Sequence, residues 1–511
     1  MNHRNLLRIL VTVAVIGYFA STYFNKPGPA AHTLAAPIPA HASAFMIGSL
    51  QFQTCELAQK QTGATTAAFC APFSVPENRD APALRKIDLK LALIRSDAEA
   101  ADTDIVVFLA GGPGQAATEA WPQISGALAP LRKHHHILLL DQRGTGASHP
   151  IACAPTKNTD ADEDRIDLDA MRSHVRQCLA DVEKNADPRA YTTTAAVEDL
   201  EAVRQALGAP QFDLVGVSYG TRMAQQYLVR HADAVRSVVL DSVAPNELVL
   251  GEDFAVNLED ALRLQFVQCT QSPQCAKAFG DPYVSLQRLR DTLRTRPQDF
   301  DFRDPVTFAA AHRRLNNYTL AGLVRIFAYT PETAALLPLS IAAGLQDDYT
   351  PLAGQTLLLA GDLSELRDSG MQLSVFCAED ADLLTPRPQD AGTLLGTSMI
   401  DVMKAECEIW PHGMRPADFH APLKTDKPVL ILEGEFDPVT PPRYGRQVLK
   451  GLTNGRLLIA KGQGHNVIGR GCMPKMIGEF VDKLKPEQID ATCLDRLGPT
   501  PAFIDFSGPS P

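Results

Sequence analysis

Ser218 stands between Gly216 and Gly220 in "DLVGVSYGTR", directly after an apolar run. The pattern is G-x-S-x-G, set between a predicted strand and a predicted helix. A sharp strand-to-helix turn leaves little room for side chains at the two flanking positions. Glycines relieve that crowding and leave the serine hydroxyl exposed at the C-terminal end of the strand. A serine hydroxyl alone is a weak nucleophile. It needs a base, and the base needs a group that orients it. In this architecture the acid and then the histidine come after the serine in chain order. Asp437 lies just after the run Val429–Leu432, in "EGEFDPVTPP", and His465 just after Leu457–Ala460, in "GQGH". Glu433, Glu435 and Asp241 compete with Asp437 as the acid. An Asx turn before Pro438 is the plain structural alternative for Asp437 itself. Acyl transfer also needs two backbone N–H donors for the developing oxyanion. Tyr219 would supply one, and the glycine loop Gly111-Gly112-Pro113-Gly114 the other, with Gly112 preferred over Gly111.

These residues need a sheet to hold them. "KIDLKLALIR" alternates as a strand does, and "DIVVFLAGGPG", "HHILLLDQRGTGAS", "QFDLVGVS", "VRSVVLDSVAP", "KPVLILEGEF" and "GRLLIAKGQ" are apolar runs of strand length. "YTTTAAVEDLEAVRQALGA" carries threonine caps, an amphipathic period and a closing glycine, so it reads as a helix. Continuous apolar strands alternating with helices predict a doubly wound, mostly parallel sheet covered on both faces, the α/β-hydrolase type of α/β fold. The alternation lapses between about Glu247 and Leu423, where the chain reads as mainly helical. The expected organisation is a leader or anchor with a Pro/Ala-rich linker over 1–44, a core over 45–246, a helical cap insertion over 247–423, the rest of the core over 424–486, and a tail over 487–511 tied by a disulfide.

The 511 residues carry a net charge of −11 without a long Lys/Arg run, which speaks against nucleic acid as a partner. Arg4 and Arg8 precede the apolar run Ile9–Phe24, a pattern of a secretory signal or an uncleaved membrane anchor. Export to a periplasm or exterior is the expected localisation. Ten cysteines, an even number, fit an oxidising compartment. Sequence neighbours are the expected partners, because short loops close most easily: Cys55 with Cys70, Cys153 with Cys178, Cys269 with Cys275, Cys377 with Cys407, and Cys472 with Cys493. No C-x-x-C occurs, and the adjacent His134, His135 and His136 would alternate across a strand and could not share one ion. No metal or organic cofactor is implied, and a monomer is expected.

In combination and order, "GGPG", "DQRGTGAS", "GVSYGT", "GEFDPVTPP" and "GQGH" resemble the secreted tripeptidyl aminopeptidase branch of the proline iminopeptidase family, within the α/β-hydrolases. The likeness runs from about Phe45 to Val481. It implies an exported serine peptidase with a helical cap, cleaving short units from free peptide N-termini. It places nucleophile, acid and base on Ser218, Asp437 and His465. "FCAED" (Phe376–Asp380) and "CEIWP" (Cys407–Pro411) look similar too. Ala110 stands where proline iminopeptidases proper usually have His before GGPG, which favours the tripeptidyl branch over strict proline preference. An aminopeptidase must also recognise an ammonium group. Glu252, Asp253, Glu379 and Asp380 are the candidate carboxylates, and Trp410 a candidate pocket wall. A carboxylesterase would use the same triad, and a non-catalytic binding protein on the same scaffold is a remote alternative.

Overall fold

The structure is a computed structural model that describes residues 43–59, 63–98, 104–154, 166–303, 308–355, 370–505 and 507–508. The apolar run Ile9–Phe24 and the linker after it lie outside the described residues.

Twelve strands are described: β1 (Ala44–Ile47), β2 (Leu50–Ala58), β3 (Thr65–Pro76), β4 (Lys86–Ile94), β5 (Ile105–Leu109), β6 (His136–Leu140), β7 (Phe212–Val217), β8 (Val235–Asp241), β9 (Gln298–Arg303), β10 (Ala310–Leu315), β11 (Val429–Gly434) and β12 (Gly455–Ala460). Ten of them form one sheet in the order β1-β2-β3-β4-β6-β5-β7-β8-β11-β12. The pairs from β1 through β4 to β6 are antiparallel, and those from β6 to β12 are parallel. The parallel part is the doubly wound sheet expected from the apolar runs.

Its two faces split the strand residues by parity. Leu91, Leu93, Ile105, Val107, Leu138, Leu140, Leu214 and Ile431 pack on one side with the helices Thr193–Leu207 and Tyr219–Arg230. Ala92, Val106, Phe108, Ile137, Leu139, Val215, Leu430 and Leu432 pack on the other with the helices Ala117–Leu128 and Met473–Lys483. A period of two in a strand buried on both faces makes every residue apolar, which is why these runs show no alternation in the sequence.

The helix Thr193–Leu207 begins on the Thr192 hydroxyl, which accepts the Ala195 N–H, and ends on Gly208 in the left-handed conformation. The loop after β6 is a structural clamp. Asp141 accepts from the Thr118 N–H and hydroxyl. Buried Arg143 grips both Asp199 oxygens at 2.6 and 2.7 Å. Ten cysteines form five disulfides: 55–70, 153–178, 269–275, 377–407 and 472–493. No described helix is long and apolar enough to cross a membrane.

Between β8 and β11 the chain is mostly helical, including Phe254–Gln271, Pro282–Thr295, Asn317–Phe327, Gly370–Glu379 and Ser398–Cys407. It also holds the antiparallel hairpin β9–β10, which the mainly helical expectation missed. "QDFDFR" alternates aromatic and polar residues, a strand period in a segment where the neighbouring helices drew attention away.

Candidate active site

The parallel strands end together, and the loops at their C-terminal ends carry the site. Ser218 leaves β7 with φ 55 and ψ −122, a positive φ that a non-glycine residue holds only when its surroundings impose it. The flanking glycines leave space for that turn. A methyl on Gly220 would lie 2.1 Å from the Leu109 carbonyl oxygen, and one on Gly216 would lie 2.5 Å from that of Gly220. The Ser218 N–H donates to the Asp241 carbonyl at 2.9 Å, and the helix Tyr219–Arg230 starts at once. Ser218 stays partly exposed.

His465 Nε2 lies 3.0 Å from Ser218 Oγ, and its Nδ1 lies 2.7 Å from Asp437 Oδ2. Asp437 is fully buried. Burial alone would raise its pKa, but the facing His465 and the N–H groups of Thr440 and Val439 hold it below the usual carboxylate range. An ionised carboxylate only accepts, so Nδ1 must carry the proton and Nε2 is left to accept from the serine hydroxyl. Asp437 Oδ1 meanwhile accepts the Val439 and Thr440 N–H groups at 2.7 and 2.8 Å. The Asx turn and the orienting carboxylate, set apart as alternatives in the sequence, are the same side chain in the structure.

The competing acids sit elsewhere. Glu435 is exposed and its Oε2 accepts the Gly462 N–H at 2.8 Å. Glu433 is buried, accepts the Val243 N–H, and has its pKa raised well above normal by burial and by Asp437. The Asp241 carboxylate accepts backbone N–H groups of Val467 and Ile468, both at 2.9 Å.

The loop over 110–114 runs beside Ser218: a methyl on Gly111 would lie 3.3 Å from Ser218 Cβ. The Gly111 N–H donates to Gln115 Oε1 at 3.3 Å, whereas the N–H groups of Gly112 and Tyr219 reach no acceptor among the described residues. Gly112 has φ 108, and a methyl there would meet the Gly114 nitrogen at 2.6 Å, so only glycine fits. The Tyr219 ring is buried, and its hydroxyl lies 2.6 Å from Thr193 Oγ1 and 3.2 Å from Gln142 Nε2.

The residues nominated for the substrate amine separate. Glu379 has no exposed surface, and its two oxygens take the Thr193 N–H at 2.6 Å and the Thr193 hydroxyl at 2.9 Å. Asp380 is as deeply buried and pairs with Arg222 at 2.8 Å. Trp410 is core: 2% exposed, with Nε1 on Ser374 Oγ. Glu379, Asp380 and Trp410 thus pack inward, against the start of the helix Thr193–Leu207, the helix Tyr219–Arg230 and the helix Gly370–Glu379. Asp253 is bound by Tyr444 and Arg387. Glu252 is partly exposed, and no hydrogen bond engages its carboxylate among the described residues.

Three partners of the site escaped the sequence. Thr440 Oγ1 lies 3.1 Å from Asp437 Oδ2 and 3.3 Å from His465 Nδ1. The Tyr329 carbonyl accepts the His465 N–H at 2.7 Å, and the Tyr329 ring stands edge-on to the imidazole, centroids 5.2 Å apart. Thr193 joins Glu379 to Tyr219. Only Thr440 had a local signal, as the residue three after Asp437 in an Asx pattern.

The profile of the alpha/beta hydrolase fold family matches residues 104–470. Serine protease Hip1 of Mycobacterium tuberculosis is 26% identical over 480 residues, spanning 84% of this chain and 88% of that protein. A tripeptidyl aminopeptidase of Streptomyces lividans is 23% identical over 482 residues, 84% of each chain. A proline iminopeptidase of Neisseria gonorrhoeae is 30% identical over 138 residues, which are 27% of this chain and 32% of that one.

Proposed function

Because this chain belongs to the alpha/beta hydrolase fold family, we propose that it is an exported serine peptidase releasing short units, of the tripeptidyl or prolyl kind, from free peptide N-termini. Ser218 Oγ attacks the scissile carbonyl as His465 Nε2 takes its proton. Asp437 holds the imidazole in that tautomer and stabilises the imidazolium. The N–H groups of Tyr219 and Gly112 receive the oxyanion. His465 then gives the proton to the leaving amine, and water, activated by the same nitrogen, releases the acyl group and restores Ser218.

The observation that carries this assignment is the unbroken hydrogen-bond chain Asp437–His465–Ser218 at 2.7 and 3.0 Å. A peptide substrate is supported by the serine protease and aminopeptidase relatives that span most of the chain. The segment 247–423 is the proposed cap, supported by Tyr329 seated on His465. Export is supported by five disulfides, which persist in oxidising compartments. Glu252, the candidate whose carboxylate no hydrogen bond among the described residues engages, is assigned to the substrate ammonium.

A panel of aminoacyl, dipeptidyl and tripeptidyl anilides, free and N-acetylated, run beside simple esters, tests the proposal. Free-amine peptides should be the best substrates, and Glu252→Gln should raise their KM about threefold to fivefold. Turnover of esters with none of any free-amine peptide would overturn the peptidase assignment in favour of a carboxylesterase.

A further inference from the structure

Asp241 ends β8, the strand next to the nucleophile strand, and it touches both halves of the site. Its main-chain carbonyl accepts the Ser218 N–H at 2.9 Å. Its Oδ1 accepts the Val467 N–H and its Oδ2 the Ile468 N–H, each at 2.9 Å. The next residue continues the pattern: Ser242 Oγ accepts the Asn466 N–H at 2.8 Å, and the Ser242 N–H donates to the Leu432 carbonyl on β11 at 2.9 Å. The three amides directly after His465 therefore all end on two consecutive residues, and the first of those residues also holds the nucleophile.

The conformation so fixed is not one the chain adopts freely. Asn466 has φ 67 and Ser242 has φ 57, both in the left-handed region. Such residues stay there only where neighbours determine them. A carboxylate suits this place better than other polar groups. Two N–H donors arrive from adjacent residues, one at each oxygen, so both oxygens must accept. An amide in the same position would turn an N–H donor toward one of them.

We propose that Asp241 is a positioning residue for the hydrolysis, its carboxylate and the Ser242 hydroxyl holding the loop after His465 so that Nε2 stays within reach of Ser218 Oγ. Asp241 meets no substrate and acts through its two neighbours. The role rests on Ser218, His465 and Asp437 being the catalytic triad.

The test uses the full exported chain with Asp241→Asn, Ser242→Ala and, as reference, Ser218→Ala. Steady-state kinetics on a free-amine peptidyl anilide are read beside thermal melting and the rate at which an aryl fluorophosphonate labels Ser218. Asp241→Asn should lower kcat about 100-fold, the scale of a small misplacement of a catalytic group. KM should stay within about threefold, and labelling should slow in step with kcat. Ser242→Ala, which removes one acceptor, should lower kcat about fivefold to tenfold. A folded Asp241→Asn enzyme with wild-type kcat, or a loss confined to KM, would overturn the proposal. If Asp241→Asn fails to fold, a wild-type kcat and labelling rate in Ser242→Ala overturns it instead. Turnover retained by Ser218→Ala would overturn the triad and this role together. An inactive Ser218→Ala beside a fully active Asp241→Asn would overturn the positioning role alone.

Discussion

Asp437 Oδ2 lies 2.7 Å from His465 Nδ1 while Asp437 Oδ1 closes the turn to Val439 and Thr440. One carboxylate is thereby divided between the imidazole and the loop, with Thr440 Oγ1 also 3.1 Å from Oδ2.

That division predicts a clean variant. In Asp437→Asn the amide oxygen can keep the turn while the NH2 group faces His465 Nδ1 and imposes the wrong tautomer. We expect kcat to fall about 10²- to 10⁴-fold with the melting temperature changed by a few degrees at most. Stopped assays on a peptidyl anilide, with melting curves beside them, measure both. A kcat near wild type would assign the orienting role to another acid.

Glu379 should make stability depend on pH. Its carboxyl is pushed from 4.5 up to about 8, by burial first, with Asp380 adding to the rise while Arg222 opposes it. Between those values the folded protein holds a proton that the unfolded chain has released, so stability falls as pH rises through that window. Glu379→Gln keeps an acceptor for the Thr193 N–H and cannot ionise. The variant should match or trail wild type near about pH 5 and be the more stable near about pH 8.5. Melting curves at the two pH values decide, and parallel pH dependences would show that Glu379 does not titrate there.

Two glycine substitutions should act in opposite directions. A methyl on Gly220 meets the Leu109 and Ala110 carbonyl oxygens at 2.1 and 2.7 Å, both rigid backbone. Gly220→Ala should leave no active, folded enzyme. Gly126, inside the helix Ala117–Leu128, has nothing within 4 Å of the added methyl. Gly126→Ala should stabilise by about 0.5–1 kcal/mol with activity unchanged. Denaturant titration measures both, and an active Gly220→Ala would show that the turn is looser than its contacts imply.

The parallel sheet was legible because each of its strands is a short apolar run between loops and helices, and the glycines around Ser218 mark the turn after one of them. The acid needed three dimensions. Asp241, Glu433, Glu435 and Asp437 all lie at or just beyond strand ends, and only the fold shows whose oxygen faces the imidazole. The same holds for Glu379 and Asp380 in "FCAED": they point inward to Thr193 and Arg222, partners 186 and 158 residues away that no local pattern reveals. Asp241 left no local trace of its tie to Val467 and Ile468. Strands β1 to β3 were not anticipated: "AFMI" is only four residues long, and "LQFQTCELA" lies on an antiparallel edge with one wet face, where polar residues interrupt the apolar run.

The most direct measurement is to trap the nucleophile. The purified enzyme is titrated with an aryl fluorophosphonate while residual hydrolysis of a free-amine peptidyl anilide, intact mass and the labelled peptide are monitored. We expect one adduct per chain, located on Ser218, with activity lost in proportion to its formation. An adduct on a different residue, or hydrolysis that persists once Ser218 is fully labelled, would contradict the assignment of Ser218 as the attacking group.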